Sequence, residues 1–338
     1  MALAAARGTV AIPLDHVTGI TLHRLGLPVA VTWPPAEEAI LWQLRFPRVA
    51  AAALVGAALA CSGALLQGLF RNPLADPYVL GISAGAGLAA TATMAALAAG
   101  AGGAAAGVSL LRWAGYGPVP LAATAGGFLA VLVVYTLARR GGRVPATRLL
   151  LAGFAVSSLF NAGSTLLIVL SERLLLNWRS LLGWLVGGVV VSGWAQVGAA
   201  APLIFLAVVA GWFLARWLDA LLLGEEGAAQ VGVPVEAAKV AVVLVASVLA
   251  GAAVALAGLV GFVGLLVPQA VRLALGPSHR TLLPCATLAG AIFLVLADLL
   301  ARVVLAPTEL PVGVVTALAG GPAFLWLLRR ETAGWRRG

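Results

Sequence analysis

The chain has 338 residues, of which 62% are hydrophobic and only 10% are charged, and its mean hydropathy is +1.06. A soluble globular domain carries roughly 25% charged residues, so this composition excludes that class and indicates an all-helical membrane protein with several spans. The formal net charge of +9 comes from arginines in short stretches between apolar segments, with Lys239 as the only lysine, which excludes a nucleic-acid-binding surface.

The first 48 residues contain no segment that is long and apolar enough to cross a membrane. Met1–Ala6 is apolar but far shorter than the apolar region of a signal peptide. The stretch from Arg7 to Arg48 alternates short apolar patches with Pro, Asp and His, and it ends in an amphipathic run from Glu37 to Phe46. We therefore expect residues 1–48 to form an N-terminal, periplasmic segment outside the membrane.

Nine apolar segments follow, most of them about 20 residues long, the length that spans the hydrocarbon core. They run over Val49–Leu69, Val79–Ala99, Val119–Ala138, Leu149–Leu170, Val197–Trp217, Ala237–Ala257, Leu259–Leu275, Leu283–Leu305 and Val312–Leu328. Leu174–Val191 is also apolar, but its asparagine, arginine and glycines favour a shorter helix near the membrane surface. The predicted membrane domain is therefore 49–328, and a basic tail at 329–338 follows it.

The stretch Gly56–Gly85 contains the strongest interruption of the apolar pattern. Its first part is rich in small residues and carries the polar Gln67, after which Asn72-Pro73 and Asp76-Pro77 follow in quick succession. Proline lacks a backbone donor and disfavours helical geometry in the residue before it, so these pairs predict a helix end, a turn and a restart. Irregular backbone beside the bilayer is tolerated only where it packs in protein or lines a cavity, which makes this turn a candidate for the working part of a transport path.

The distribution of arginine predicts the orientation. The more basic set of alternate loops contains Arg71, the cluster from Arg139 to Arg148 and the C-terminal arginines, so these loops are expected in the cytoplasm.

Gly56–Gly63 (GAALACSG) is similar to Gly251–Gly258 (GAAVALAG), and a proline break follows each. Because one span runs inward and the other outward, the similarity indicates either an inverted repeat or chance in a chain rich in Ala and Gly.

Sequence patterns for a cofactor, a metal or catalysis do not occur. There is no G-x-x-x-x-G-K-S/T motif, so the energy must come from an ATP-binding partner or from an ion gradient. His16, His23 and His279 have no Cys or carboxylate companion at metal-ligand spacing, and no nucleophile–base pattern occurs. We expect this chain to bind no cofactor and no metal and to have no enzymatic activity of its own.

Two further patterns carry charge. The stretch Leu221–Gly232 (LLLGEEGAAQVG) lies between two spans, ends one helical segment at a glycine and places two acids in the first turn of the next, where they suit the helix dipole. It is either a solvated loop or a contact surface.

Asp298 and Arg302 stand four residues apart in the favourable order for a helix ion pair. Either they pair near the outer end of their span, or Arg302 has a role outside the membrane.

Segments spread from Arg45 to Leu328 together resemble one family. They are RFPR at 45–48, GAALACSGALLQGLFRNPLADPYVLGISAGAG from 56, RLLLAG at 148–153, WLVGG at 184–188, LLLGEEGAAQVGVP at 221–234, GLVGFVGLLVPQAVR at 258–272, GPSHRTLLP at 276–284, LADLLAR at 296–302 and ELPVGVVTALAGGPAFLWLL at 309–328. In this order they are similar to the FecCD-type permeases, the membrane subunits of ABC importers for iron-siderophores, haem and cobalamin.

The resemblance implies a type II ABC importer permease fold of ten transmembrane helices. It implies a homodimer in the lipid of the cell (inner) membrane, two cytoplasmic ATP-binding subunits that hold the ATP, and a periplasmic or lipid-anchored substrate-binding protein. It also implies three groups of site residues. The translocation gate is Asn72 and Leu74; the residues that couple to the ATPase are Leu222, Gly224, Glu225, Glu226 and Gly232; and the residues that dock the binding protein are Arg45, Arg48 and Arg302.

The chain departs from the family pattern at two places. The family has a first transmembrane helix ahead of the Arg45 region, where only Met1–Ala6 stands here, so we expect a misassigned start or a truncated chain with about nine visible helices. Gln269 follows Pro268 where the family usually has His. The resemblance favours an iron chelate (siderophore or haem) as cargo, with cobalamin as the alternative. An ion-coupled secondary transporter is less favoured, because Asp298 is the only acid deep in a span.

Overall fold

The computed structural model describes residues 2–8, 11–100, 117–139, 144–176, 178–189 and 191–335, and every regular element in these ranges is helical. The N-terminal part contains α1 (Ala2–Ala6), α2 (Leu14–Arg24), α3 (Pro35–Ala39) and a π-helical segment (Ile40–Arg45). The remainder contains α4 (Phe46–Phe70), a 3₁₀ turn (Pro77–Leu80), α5 (Ile82–Ala98), α6 (Pro118–Ala138), α7 (Ala146–Leu170), α8 (Glu172–Leu176), α9 (Trp178–Leu185), α10 (Trp194–Phe213), α11 (Ala215–Leu221), α12 (Glu225–Gln230), α13 (Val235–Ala257), α14 (Val263–Leu275), α15 (His279–Val303) and α16 (Val312–Trp335).

Each of the predicted spans coincides with a helix in the described part of the chain. Six helices are long and apolar enough to cross a membrane, namely the continuous helix Pro35–Phe70 that includes α4, and α6, α7, α10, α13 and α15. The apolar helices α5, α14 and Val312–Trp326 of α16 are shorter. The short helices α8 and α9 occupy most of the segment Leu174–Val191. The prediction of an all-helical polytopic membrane protein is confirmed.

Two boundaries differ from the prediction. The first spanning helix begins at Pro35 and not at Val49, so it runs without interruption through the expected division at residue 48. Its π-helical segment ends at Arg45, two residues before Pro47, whose ring nitrogen has no hydrogen to donate to a carbonyl one turn earlier. The wider π turn lies where that donor is missing. The predicted span Val197–Trp217 is divided between α10 and α11 at Leu214, where tighter hydrogen bonding closes the last turn of α10.

Helix α4 lies at the centre of the molecule, because 78% of the most apolar window of its helix is buried, against 11% for α7. Glycines permit close approach of its neighbours. A Cβ atom on Gly56 would collide with the carbonyl oxygen of Gly290 in α15, and one on Gly63 would collide with that of Gly264 in α14. Real Cβ atoms do not come so close, so any larger residue would separate these helices.

Two groups of four helices, α4–α7 and α13–α16, repeat the same neighbour relations. In each group the second helix packs against the third and against the fourth, as α5 does on α6 and α7, and as α14 does on α15 and α16. The first helix of each group also packs against the third helix of the other group, α4 on α15 and α13 on α6. This exchange of partners favours an inverted repeat over chance similarity between Gly56–Gly63 and Gly251–Gly258.

The ends of the helices form two polar surfaces. The C-terminal end of α4, the short helices α11 and α12, and the N-terminal ends of α13 and α15 meet at one end, which we call the inner end because the arginine pattern predicts that it faces the cytoplasm. The start of α4, the end of α15 and the N-terminal helix α1 meet at the opposite, outer end. The gate and coupling residues named above lie at the inner end, and the three arginines lie at the outer end.

Candidate functional site

The helix break after α4 has the geometry that the prolines predict. Arg71 adopts the left-handed conformation (φ 48°), and it ends the helix with two capping bonds, from Arg71 N to Gly68 O (3.3 Å) and from Asn72 N to Gln67 O (3.2 Å). Such a pair of bonds satisfies carbonyls that the helix end would leave without donors. Asn72 Oδ1 then accepts a hydrogen bond from Leu74 N (2.9 Å), which fixes the turn. Asn72 is half-buried, whereas 38% of Leu74 is exposed.

The chain restarts at the second proline. Asp76 Oδ1 accepts a hydrogen bond from Tyr78 N (2.8 Å) and so caps the 3₁₀ turn that Pro77 begins. Gly81 (φ 82°) then redirects the chain into α5. Desolvation raises the pKa of the Asp76 carboxyl to about 6, while the hydrogen bond from Tyr78 N acts in the opposite direction.

Side chains bind this break to the connection between α13 and α14. Gln67 Nε2 donates to Leu265 O (3.0 Å), and Tyr78 Oη donates to Val260 O (3.2 Å). Pro77 packs so closely on Gly264 that a Cβ atom there would lie 2.5 Å from its Cδ. The break is therefore held in protein, as irregular backbone beside a bilayer must be, and any displacement of it also displaces the start of α14.

The predicted coupling stretch forms the turn Leu222–Gly224 and helix α12. Gly224 has a positive φ of 95° and Gly232 one of 84°, which explains why glycine is needed at both positions. Leu222 and Glu226 are exposed, and so are Leu223 (70%) and Val231 (63%), two apolar residues that the sequence reasoning missed. The signal for them was available, since apolar side chains that flank a charged turn between spans have no lipid to cover them.

The coupling stretch and helix α11, which precedes it, lie against three spans. Nη1 of Arg71, at the end of α4, lies 3.6 Å from the position that a Cβ on Gly224 would take. Asp219 Oδ1 in α11 accepts a hydrogen bond from His279 N (2.7 Å) and also faces His279 Nδ1 (2.9 Å), so α11 provides the N-terminal cap of α15. Glu225 Oε2 lies 2.7 Å from Lys239 Nζ in α13. Asp219, Lys239 and His279 had not been predicted as site residues.

The predicted docking arginines Arg45, Arg48 and Arg302 lie together at the outer end, but two of them are buried. Arg45 is 7% exposed, and its Nη1 donates to Ala5 O (2.8 Å) and Ala6 O (3.1 Å). Arg302 is 4% exposed, and it donates from Nη2 to Ala4 O (2.8 Å) and from Nη1 to the carbonyl of Arg7 (2.9 Å).

Arg45 and Arg302 are therefore not exposed at this surface, as a direct contact with a binding protein would require. The carbonyls at the C-terminal end of α1 have no donors within the helix and carry partial negative charge, so the two guanidinium groups satisfy them. Arg48 is the most accessible of the three, with 21% of its side chain exposed.

The predicted ion pair between Asp298 and Arg302 is present. Arg302 Nε lies 3.0 Å from Asp298 Oδ2, and Arg48 Nε lies 2.9 Å from Asp298 Oδ1, so the buried carboxylate is shared by two cations. Nη1 of Arg48 also contacts Glu309 Oε2 (2.7 Å). An acid held by two arginines is a poor carrier of protons or sodium ions, which argues against an ion-coupled transporter.

The histidines have carboxylate neighbours that their sequence positions did not reveal. His16 Nδ1 lies 2.7 Å from Glu37 Oε2, and His279 pairs with Asp219 as described. Among the residues that the structure describes, no group of three or more His, Cys, Asp or Glu side chains is arranged to hold a metal ion.

Comparisons with known proteins agree with this arrangement. The sequence profile of the FecCD transport family matches residues 1–330. The chain is 40% identical to the cobalamin import system permease protein BtuC of Halobacterium salinarum, over 96% of this chain and 87% of that protein. It is 40% identical to the hemin transport system permease protein HmuU of Yersinia pestis (91% and 89%) and 37% identical to the ABC transporter permease protein YvrB of Bacillus subtilis (97% and 90%).

The fold is also that of a solved transporter. A metal-chelate type ABC transporter in an inward-facing conformation superposes with a TM-score of 0.75 at 29% sequence identity, covering 93% of this chain and 96% of that one. The family match extends over nearly the whole chain, and the structural likeness covers the same helices. The protein is therefore a multi-pass membrane permease of an ABC importer, and it belongs to the FecCD transport family.

Proposed function

We propose that this chain, paired with a second copy of itself, forms the path by which a metal chelate enters the cell. The observation that carries the proposal is the helix break at Arg71–Gly81, which is bound on one side to the α13–α14 connection and touches the coupling stretch on the other. A break linked to a docking stretch is the arrangement needed for a gate that opens when an attached ATPase changes shape.

The gate itself is assigned to Asn72 and Leu74. Asn72 is fixed by the capped helix end, and it fixes Leu74 in turn through its side chain. Leu74 is a large apolar side chain that is partly exposed at the inner end of a protein otherwise packed around α4. Two such side chains from two copies would form an apolar constriction that opposes the passage of polar solutes.

The coupling stretch is proposed to bind the ATP-binding subunits. Its exposed leucines and Val231 supply an apolar patch, and the exposed Glu226 supplies charge at the edge. An apolar centre with a polar rim is the usual composition of a stable protein interface. The ATP itself is assigned to the partner subunits, because this chain has no phosphate-binding loop.

The binding protein is proposed to dock at the outer end, with Arg48 as the direct contact. Arg45 and Arg302 serve this surface indirectly, because they hold α1 in place beneath it. Exposed charges contribute little affinity individually, but they orient the encounter of two proteins.

The proposed cargo class is supported by the names of the relatives, which include cobalamin and hemin permeases and a metal-chelate transporter. We propose an iron chelate, a siderophore or haem, as the cargo and retain cobalamin as the second candidate. The test is uptake by vesicles that contain this permease with its ATP-binding subunit and binding protein. Uptake of labelled ferric siderophore, haem and cyanocobalamin is compared with and without ATP. The ATP is supplied on the side of the vesicle membrane that carries the ATP-binding subunits. Uptake driven by a proton or sodium gradient without ATP would contradict the proposal.

A further inference from the structure

Lys239, the only lysine of the chain, joins three segments of the inner end. Its Nζ lies 2.7 Å from Glu225 Oε2 in α12 and 3.0 Å from Glu236 Oε1 in α13, and it donates to Val144 O (3.2 Å) in the loop ahead of α7. Glu236 Oε2 in turn accepts a hydrogen bond from Val144 N (3.1 Å). Lys239, Val144 and Glu236 form a closed ring, and Glu225 is attached to it through Lys239. The contacts link the coupling stretch, span α13 and the loop ahead of span α7. We call these four residues the Lys239 joint.

The burial of the joint is uneven. The side chain of Lys239 is only 4% exposed, whereas those of Glu225 and Glu236 are 48% and 38% exposed. An ammonium group removed from water is stable only when partners replace its hydration, so Lys239 requires these acceptors. The two carboxylates remain in contact with water and would be stable without the lysine. The joint therefore fixes the position of Glu225, and with it α12, relative to α13.

The joint also separates the roles of the two adjacent acids. Both acids are exposed on α12, but the carboxylate of Glu225 is directed at Lys239. The family resemblance implied that both couple to the ATPase. The contact with Lys239 assigns Glu225 to the connection between α12 and the spans, and Glu226 to the surface of α12 that a partner would bind.

We propose that Lys239 is a positioning residue that transmits the movement of α12 to α13 and α7 when the ATP-binding subunits close. The inference rests on the proposed function, in which α12 is where those subunits bind. The other anchors of the stretch, at Asp219 and Arg71, hold α11 and the turn at Gly224. The Lys239 joint is made with α12 itself, so it acts directly on the helix that the partner would move.

The test compares two substitutions that are chemically the same. Glu225→Gln and Glu236→Gln each remove one carboxylate charge from Lys239, but only the first cuts the connection between α12 and α13, because Glu236 belongs to α13. A glutamine at 236 also keeps an oxygen that accepts from Val144 N. The assembled complex, with ATP-binding subunit and binding protein, is reconstituted in vesicles. The cargo taken up per ATP hydrolysed is measured, together with the unfolding temperature and retention of the ATP-binding subunit.

We expect E225Q to lower the uptake per ATP by about fivefold or more, the lower end of typical coupling between sites, while E236Q stays within about twofold of the unmodified protein. Both complexes should retain the ATP-binding subunit. Lys239→Met should reproduce the loss seen in E225Q, and Lys239→Arg should restore most of the coupling.

Three outcomes would overturn the proposal. Equal losses of uptake per ATP in E225Q and E236Q would show a local effect of charge. No loss in either variant would show that the joint transmits nothing. Release of the ATP-binding subunit by E225Q would show that the joint only supports the docking surface. Failure of the proposed function is recognised separately with Glu226→Arg. If that variant binds the ATP-binding subunit normally, α12 is not the docking helix, whatever uptake per ATP is measured for E225Q.

Discussion

Arg71 and Gly224 are 153 residues apart in sequence, yet the guanidinium of Arg71 lies beside Gly224, with Nη1 3.6 Å from the point that a Cβ on Gly224 would occupy. Arg71 ends α4 beside the proposed gate, and Gly224 precedes α12 in the coupling stretch. Both residues have positive φ values, 48° and 95°. Two turns with unusual backbone geometry therefore meet at the point where a signal from the ATPase would reach the gate.

Replacing Arg71 by glycine separates the backbone role of this residue from its side-chain role. Glycine adopts the left-handed conformation more easily than arginine, so Arg71→Gly should leave the free energy of unfolding unchanged or raise it by up to about 1 kcal/mol. The variant loses the contact with Gly224, and we expect lower uptake per ATP in reconstituted vesicles. Arg71→Lys, which keeps the cation, is the control. Normal uptake by the glycine variant would show that the contact is incidental.

A cysteine at position 72 reports on the gate. If Asn72 of the two copies faces its counterpart at a constriction, Asn72→Cys should form an intermolecular disulfide in the closed state and lose it when the gate opens with nucleotide. The measurement is crosslinking on a non-reducing gel with and without ATP analogue. Leu275→Cys, at the inner end of α14 and 57% exposed, is the matched control. Failure to crosslink in every nucleotide state would place the gate elsewhere.

Asp76 should make stability depend on pH. Its folded-state pKa is raised to about 6 from 3.8, so the folded protein binds the proton more tightly than the unfolded chain does. The contribution of Asp76 to stability is therefore largest at low pH, and it falls as pH rises from about 4 to about 6. Asp76→Asn keeps an oxygen that accepts from Tyr78 N and removes the charge.

The comparison is made by thermal unfolding in detergent at pH 7.5 and at pH 5. The asparagine variant should unfold at a higher temperature than the unmodified protein at pH 7.5, and the difference should shrink at pH 5. A difference that does not change with pH would mean that the carboxyl titrates normally.

The outer arginines Arg48 and Arg302 should differ in how much free energy of unfolding is lost when each is replaced. Arg302→Met leaves the buried carboxylate of Asp298 with one cation and two carbonyls without donors, so we expect destabilisation by about 3 kcal/mol or more. Arg48→Gln leaves Asp298 paired with Arg302 and leaves the α1 carbonyls with their donors, so it should cost less free energy of unfolding than Arg302→Met does.

Among molecules that remain folded, the loss of Arg48 should impair docking of the binding protein more than the loss of Arg302 does. Arg48→Gln should weaken docking of the binding protein and reduce the salt dependence of its association rate, which surface binding measurements detect. Arg302→Met should weaken docking less than Arg48→Gln does in the fraction that folds, because Arg302 supports this surface only through α1. Docking that depends on Arg302 and is insensitive to Arg48 would contradict this assignment.

The features that could be predicted from the sequence are those with a local cause. Apolar runs predict the helices because each must cover its backbone in lipid, and Asn72-Pro73 and Asp76-Pro77 predict the break because proline acts on its immediate neighbours. Asp298 and Arg302 pair because they stand one turn apart on the same helix. For these features no knowledge of tertiary structure is needed.

The features that could not be predicted depend on distant partners. Arg45 and Arg302 bind backbone carbonyls in α1, and a carbonyl is present at every residue, so nothing in the side chains marks these acceptors. The pairing of Lys239 with Glu225 depends on the angle at which α12 returns to α13. The arginine positions were identified from a family pattern, but their burial follows only from the way in which the N-terminal segment folds against them.

Helix α15 reaches both surfaces of the protein. Asp219 holds its first residue, His279, at the inner end, while Asp298 and Arg302 in its last turns hold Arg48 and α1 at the outer end. Its 25 residues correspond to about 37 Å of helix. A tilt of this single helix therefore rearranges the salt bridges around Asp298 and the cap at Asp219 together. By thermodynamic reciprocity, if a partner that binds outside changes the affinity of a partner inside by favouring one tilt, the inside partner changes the affinity of the outside partner by the same factor.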